Sequence, residues 1–456
     1  MRSAYLVPPR LARLALVLSA VLSVACLGVP GAHAAGHTSA PITLTFQSWD
    51  PQDVTNQFIV PCTKKNPSIH VKVEPVAGTY ITKLQTEFAA HTVPDFFYGD
   101  EAETLKWGSS GQLLNQLPYL KAMGVNPATR FLPQGQYWGS GTVSSHVFYG
   151  GAIATEDVYI LYNKNNFAQA GVAPPPSDVA HAWTWTQFVA MATKLTVDRH
   201  GHHPGQAGFD PKHIVRYGVS VDPTFWPTIL PLIYSNGGRV FDATDKHFVM
   251  NQAAAADAVQ AVVDLATKDH VMPTPAQINA SGGSSGGLSL SSGRVAMRID
   301  GNWNIYFEQY PKKTYPLGIG VLPIFKVYRT VTTGAPLVAW AKTAHPKEAV
   351  QMIECVHENA TSLWRSGIWM PTSTKQLFGS DTTWYKAPIY PSNYRTVAID
   401  TLKYAQDTPL IHTAAFGPAW TNLITPAIDR VLSGKQTARA AFTAIKPQVD
   451  ALLAQH

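Results

Sequence analysis

Apolar positions along the chain fall into two periods. A period of two runs through Ile42-Thr-Leu-Thr-Phe46 and Ile69-His-Val-Lys-Val73, and between them residues 53–65 are spaced as a helix that Asn66-Pro67 breaks. Strand, helix and strand joined by short links predict a βαβ unit and therefore a parallel sheet. The unit repeats with a helix over 80–91 and a strand over 94–98, Pro-Asp-Phe-Phe-Tyr. Trp49-Asp50 follows the first of these strands, and Tyr98, Asp100 and Glu101 close the third. Strand ends of an open α/β sheet face the ligand crevice, so these five residues are expected there.

Residues 148–164 form a Gly-hinged extended run, and a first crossing between two lobes is placed near 154–158. A Pro174-Pro-Pro176 break then precedes a helix over 186–195. A strand over 217–220 ends at Asp222 and leads through Phe225-Trp226 into a helix that Asn236-Gly237-Gly238 stops. An Ala-rich helix over 251–268 is followed by Asn-Ala-Ser-Gly-Gly-Ser-Ser-Gly-Gly at 279–287, a connector with no core-forming content. Asn279-Ala-Ser281 matches a glycosylation sequon by pattern, and no sugar is expected on it.

Val295, Met297 and Ile299 alternate with Ala296 and Arg298, a short buried strand that stops at Asp300-Gly301 and delivers Trp303 to a loop. An acceptor, a turn glycine, an amide (Asn302) and an indole suit a neutral polyhydroxylated ligand. The plainer alternative is that Trp303 fills core and Asp300-Gly301 is an ordinary turn. Strands over 317–323 and 332–340, the second interrupted by glycine, an amphipathic helix over 346–358 and a final helical region over 420–432 complete the pattern, and no fixed-period repeat is present.

At 456 residues the chain exceeds one comfortable core, so two packed lobes are expected. Charged residues make up 14% and aromatic residues 11%, a balance that favours aromatic contact surfaces and speaks against a nucleic-acid partner. Residues 1–34 hold Arg2, Arg10 and Arg13, an apolar run from Leu14 to Val29, a Pro30-Gly31 break and Ala32-His33-Ala34. These are the parts of a secretory signal peptide, with cleavage expected before Ala35 and an exported mature protein. Its removal lowers the basic residues from 35 to 32 against 29 acidic, so the net charge falls from +6 to +3. Ser23-Val-Ala-Cys26 offers a second reading, a lipid anchor at Cys26, although the usual leucine of such a site lies one step early at Leu22. Cys62 and Cys355 remain, free to pair in an oxidising compartment or to stay buried thiols.

Candidate chemistry is sparse. Gly283-Ser-Ser-Gly286 sits in the flexible connector and lacks the strand and helix of a nucleophile elbow. Asp198-Arg-His-Gly-His-His203, with His213 beyond, reads as a solvated hairpin; no metal is expected there. Adjacent Asp100 and Glu101 point to opposite faces of an extended segment, which weakens a glycosidase. Recognition remains: Trp49, Tyr98, Trp226, Trp303, Trp369 and Trp420 supply flat faces, and Asp50, Asp100, Glu101, Glu156 and Asp300 supply acceptors.

With those residues in place the chain resembles the extracellular solute-binding proteins of bacterial ABC importers, in the sugar-binding family related to maltose-binding protein. The carriers are I-T-L-T-F-Q-S-W-D from Ile42, P-D-F-F-Y-G-D from Pro94, Y-I-L-Y-N-K-N-N-F-A-Q-A-G-V from Tyr159, I-Y-S-N-G-G-R-V-F from Ile233, G-R-V-A-M-R-I-D-G-N-W from Gly293 and L-S-G-K-Q-T from Leu432. The resemblance implies an α/β, two-lobe periplasmic-binding-protein-like fold with a hinge and an interlobe ligand cleft. It divides the chain into a first lobe of 35–154 plus 325–372 and a second of 155–324 plus 373–456, and puts Cys62 and Cys355 in the same lobe. Family binding positions fall on Trp49, Asp50, Tyr98, Asp100, Glu101, Glu156, Trp226, Trp303 and Trp420, with Asp300 added from the strand-end reading. The insertion at 177–183 and the hairpin around His200 depart from the family pattern.

The function implied is a monomeric receptor that binds a mono- or oligosaccharide and delivers it to a membrane permease, with no cofactor and no catalytic residue. Two other readings stay open: a receptor for a phosphorylated, cationic or other non-sugar solute, and a secreted glycosidase.

Overall fold

The computed structural model describes residues 41–455 apart from 77, 283–286, 310–314, 360–363, 366, 381 and 387. The expected signal peptide, Cys26 and the middle of the 279–287 connector lie outside the described residues.

Alternation places Leu44 and Phe46 of β1 (Ile42–Ser48) in the core, where Phe46 stacks on Phe96 at 4.6 Å. β1 pairs in parallel with β2 (Ile69–Pro75) and β3 (Phe96–Tyr98), as two successive βαβ turns require. Their helices are Gln52–Lys65 and Tyr80–Ala90. Pro61 lies inside the first of these helices, which continues through it. Two short antiparallel strands, β4 (Gln136–Trp138) and β5 (Phe148–Gly151), lead towards the crossing.

The second sheet is built on β6 (Glu156–Asn163), buried along its whole length, with an uninterrupted run from Val158 to Tyr162 between acids at its start and Asn163 at its end. β7 (Val197–Asp198), β8 (Ile214–Ser220) and β9 (Val295–Gly301) extend it on one side, with Ile160 opposite Ile299 at the centre of the antiparallel β6–β9 pair. β10 (Leu317–Gly320) and β11 (Thr330–Thr333) also pair with β6. β12 (Leu337–Ala339) then joins β3 in the first sheet, and β13 (Ala405–Gln406) joins β11 in the second.

Two expectations need correction here. The chain does not return to the first sheet at 325, because β11 belongs to the second; the change falls between Thr333 and Leu337. The single strand expected over 332–340 is accordingly two strands. Gly334 explains the break: its φ is +154°, and a Cβ there would lie 2.0 Å from the Ala154 carbonyl oxygen. Thr155 bridges Met370 beside it, so three segments cross together, near 152–156, 333–337 and 370–372.

The helix Pro346–Asn359 packs on Gln52–Lys65, and Cys62 and Cys355 form a disulfide across them with a Cα–Cα distance of 5.7 Å. The expected helical end near Ser433-Gly434 is followed by one more helix, Ala438–Leu453, capped by Thr437. Pro447 inside it reads as a breaker in sequence, yet Ala441, Phe442, Ile445 and Val449 bury one face. In the His-rich hairpin, buried Asp198 accepts backbone N–H groups of His200, His202 and Asp210, a turn-organising role. Among the described residues no group of His, Cys, Asp or Glu is placed to hold a metal ion, and no helix is long and apolar enough to cross a membrane.

Candidate functional site

The ends of β1 and β3 bring Trp49, Asp50 and Tyr98 together. Trp49 stacks on Tyr98 at 4.7 Å and remains part-exposed, while the Tyr98 hydroxyl donates to Asp50 Oδ2 at 3.0 Å. Trp369 stands edge-on to Tyr98 at 5.7 Å and is buried, so it backs this wall. Tyr80 ties both strand ends, donating to the carbonyls of Gln47 and Tyr98.

The turn after β3 carries Asp100 and Glu101 in different roles. Asp100 Oδ1 accepts the N–H groups of Ala102 and Glu103 at 3.0 Å each, which fixes the turn. Glu101 Oε1 accepts the Thr333 hydroxyl at 3.1 Å, reaching to the crossing segment.

Glu156 opens β6 at that same crossing. Strand alternation separates it from Asp157, whose carboxylate is held in the second lobe by Thr401 at 2.8 Å and by Thr330. Glu156 therefore turns the other way. It is 9% exposed, and its carboxylate makes no hydrogen bond or ion pair among the described residues. Burial, reinforced by the charges of Glu101 and Asp50, pushes it well above the ordinary carboxylate range. Burial likewise pushes Asp50 up to about 7 against the Tyr98 hydrogen bond. Burial and the Asp100 charge push Glu101 up to about 7, and burial and the Glu103 charge push Asp100 up to about 6. No Lys, Arg or His is paired with any of these four carboxylates among the described residues.

The second sheet presents Trp303. Its indole folds back over Gly301, where a Cβ would lie 1.9 Å from Cζ3. Asn302 pins this loop to the crossing: its N–H donates to the Asp157 carbonyl, its Oδ1 accepts the Asp157 N–H, each at 3.0 Å, and its Nδ2 reaches the Ile368 carbonyl. Trp303 thus sits beside the Glu156–Asp157 step and the Ile368–Trp369 step. Phe225, 40% exposed, meets it edge-on at 6.1 Å.

Trp226 and Trp420 hold a different place. Both pack on Phe416, at 6.1 and 5.7 Å, and are nearly buried. Trp420 Nε1 donates to the Thr224 carbonyl at 2.8 Å, so the pair supports the 222–225 loop while Phe225 takes the exposed position. Gly417 follows Phe416 against the acidic turn, where a Cβ would meet the Ala102 carbonyl oxygen at 2.3 Å. Asp300 is not gathered with the other acids. It pairs with Arg298, accepts the Gly301 N–H, and lines a cavity of 80 Å³ with Ser220 and Asp222.

Sequence reasoning names Asn302 as the amide of the Trp303 loop but passes over Phe225, Tyr137 and Thr333 as site residues. Phe225 is next to a chosen tryptophan; Thr333, and Tyr137, whose hydroxyl donates to the Gly334 carbonyl at 3.4 Å, gain their place through the crossing alone, which no local signal encodes. A separate cavity of 340 Å³ is lined by Arg239, Asp242, Asp245, Arg329, Asp407 and His412. It carries both signs of charge and none of the aromatic faces above, so the carboxylate–aromatic cleft is the stronger candidate.

The family model for bacterial extracellular solute-binding proteins matches residues 45–361. Among solved structures, the ABC substrate-binding protein Lmo0181 of Listeria monocytogenes in complex with cycloalternan has a TM-score of 0.76 at 20% identity, covering 91% of this chain and 99% of that one. The GacH receptor of Streptomyces glaucescens, described unliganded and with acarbose, has a TM-score of 0.69 at 18% identity, covering 92% and 100%. UgpB of Mycobacterium tuberculosis in complex with glycerophosphocholine has a TM-score of 0.71 at 17% identity, covering 91% and 99%. These likenesses show the two-lobe binding-protein fold. No curated protein sequence matches the chain.

Proposed function

This chain belongs to the bacterial extracellular solute-binding proteins, and we propose that the solute it takes is a sugar or oligosaccharide bound between the lobes. The observation that carries this reading is Glu156, a buried carboxylate with no partner among the described residues, set at the crossing that the part-exposed Trp49 and Trp303 approach from the two sheets. Flat rings cover the C–H face of a pyranose, and carboxylates accept its hydroxyls in a site that excludes water. Two of the three structural relatives described above are named with a carbohydrate.

Membership in an extracellular family places the chain outside the cytoplasmic membrane. The finer picture is ours: a monomer, exported by its 1–34 segment, that closes on solute and passes it to an ABC permease without covalent chemistry. Closure is a population shift, because a solute touching both lobes binds the closed form better than the open one. An affinity near micromolar corresponds to about 8 kcal/mol. Ring stacking and desolvated hydrogen bonds, less the cost of ordering, suffice for that.

A thermal-shift screen of the mature protein against neutral sugars, amines and phosphate esters tests the reading. A ligand that binds only the native state raises the melting temperature. A shift with one or more sugars is expected. Silence across every sugar, with a shift for a phosphate ester, contradicts it.

A further inference from the structure

The charge balance of the cleft goes beyond acceptance of hydroxyls. Thr333 pairs with Glu156 across β11 and β6 and donates its hydroxyl to Glu101, which brings those two acids to one place; the charges of Glu101 and Asp50 both act on Glu156, and that of Asp100 acts on Glu101. Among the described residues the only side-chain donors to the carboxylates of this group are the Tyr98 hydroxyl on Asp50 and the Thr333 hydroxyl on Glu101. Glu156, nine-tenths buried and aimed at the group by the alternation that sends Asp157 into the second lobe, has none. The nearest lysine on the acidic turn, Lys106, is engaged with Glu103. Several carboxylates sharing a desolvated site without a counter-charge cost free energy that neutral hydroxyls relieve only in part. A cation relieves it directly, and the aromatic ring of Trp49 next to Asp50 adds the negative face that a cation also favours.

We propose that the solute presents a protonated nitrogen to Glu156, Asp50 and Glu101, so that the sugar is an amino sugar or an aminocyclitol glycoside. This rests on the sugar reading for the scaffold and on the uncompensated carboxylates for the nitrogen. An anionic solute finds no counter-charge in this group, whereas a cation favours the ionised carboxylates that burial otherwise disfavours.

The two parts separate experimentally. The mature protein is titrated calorimetrically near pH 7 with matched probes: the glucosamine β-1,4-disaccharide, an α-linked glucosamine glycoside and a deoxystreptamine-type aminocyclitol glycoside. Each has its N-acetylated counterpart, and cellobiose, maltose, spermidine and choline complete the set. At least one basic glycoside is expected to bind about tenfold or more tighter than its N-acetylated counterpart. Glu156→Gln is expected to remove most of that preference, and Glu101→Gln serves the same purpose should the first variant fail to fold. Equal binding of basic and acetylated probes, or tighter binding of cellobiose or maltose, overturns the nitrogen and leaves the sugar standing. Binding of choline or spermidine with no sugar bound supports the nitrogen and overturns the sugar. No binding by any basic probe overturns the inference.

Discussion

Tyr98 and Asp50 are joined by a 3.0 Å hydrogen bond from phenol to carboxylate, and the same Tyr98 ring carries Trp49 on its face at 4.7 Å. One residue therefore sets both the charge and the aromatic surface of the first lobe's wall. Tyr98→Phe keeps the ring and removes the donor. Asp50, already pushed up to about 7 by burial, rises further, so the added cost is small at pH 5, where Asp50 is protonated, and grows as pH passes 7. Urea denaturation should show a loss on the order of 1–3 kcal/mol at pH 8 and clearly less at pH 5. Equal losses at both pH values contradict this account of Asp50.

The solute-free protein should lose stability as pH rises. Asp50, Glu101 and Asp157 are pushed up to about 7 and Asp100 to about 6, all first by burial. A carboxyl with a raised folded pKa binds protons better folded than unfolded, so its contribution is full below about pH 4 and lost as pH rises through 6 and 7. Calorimetric scans should give a melting temperature at pH 8 lower than at pH 5 by roughly 5 °C or more. Glu156→Gln should narrow that gap. A melting temperature that is flat or rising over this range contradicts the assignment of these acids to a desolvated site.

Gly301→Ala tests the placement of Trp303 without touching the indole itself. The new methyl would stand 1.9 Å from Cζ3, so the ring must leave its seat while Asn302 still ties the loop to Asp157. A stability loss of about 1–3 kcal/mol is expected from the displaced ring. Solute affinity should fall about tenfold or more. A folded variant that binds as well as the parent shows that Trp303 is not part of the binding surface.

Reduction of Cys62–Cys355 should weaken the first lobe. The bond closes a sequence separation of 293 residues and links two helices on the first sheet. Loss of such a link typically costs about 2–4 kcal/mol. A melting scan with and without reductant reads it, and an unchanged scan contradicts a structural role.

The legible part of this molecule is its local part. Period-two runs at Ile42 and Ile69 and the helical spacing between them revealed the first sheet's βαβ order, because half-buried parallel strands and amphipathic helices leave those periods in sequence. Trp49, Asp50 and Tyr98 were legible as strand ends. Pairing across distant segments was not. Nothing near Thr332 says that it joins β6 rather than β3, and the crossing is visible only through Gly334 against Ala154. The Phe225-Trp226 step shows a second limit: two adjacent aromatics straddle the start of a helix, and tertiary packing on Phe416 decides which one is buried. Asp300 shows a third, since its ion pair with Arg298, two residues back on the same strand face, is as good an explanation of an acid at a strand end as a ligand is.

The measurement that addresses the central claim most directly is a crystal structure of the mature protein with the strongest sugar from the screen. The account predicts density at the crossing, with a sugar ring against Trp49 or Trp303 and a polar atom of the solute within hydrogen-bond distance of Glu156. Density confined to the cavity of Arg239, Arg329 and His412, with Glu156 still unpartnered, would contradict it.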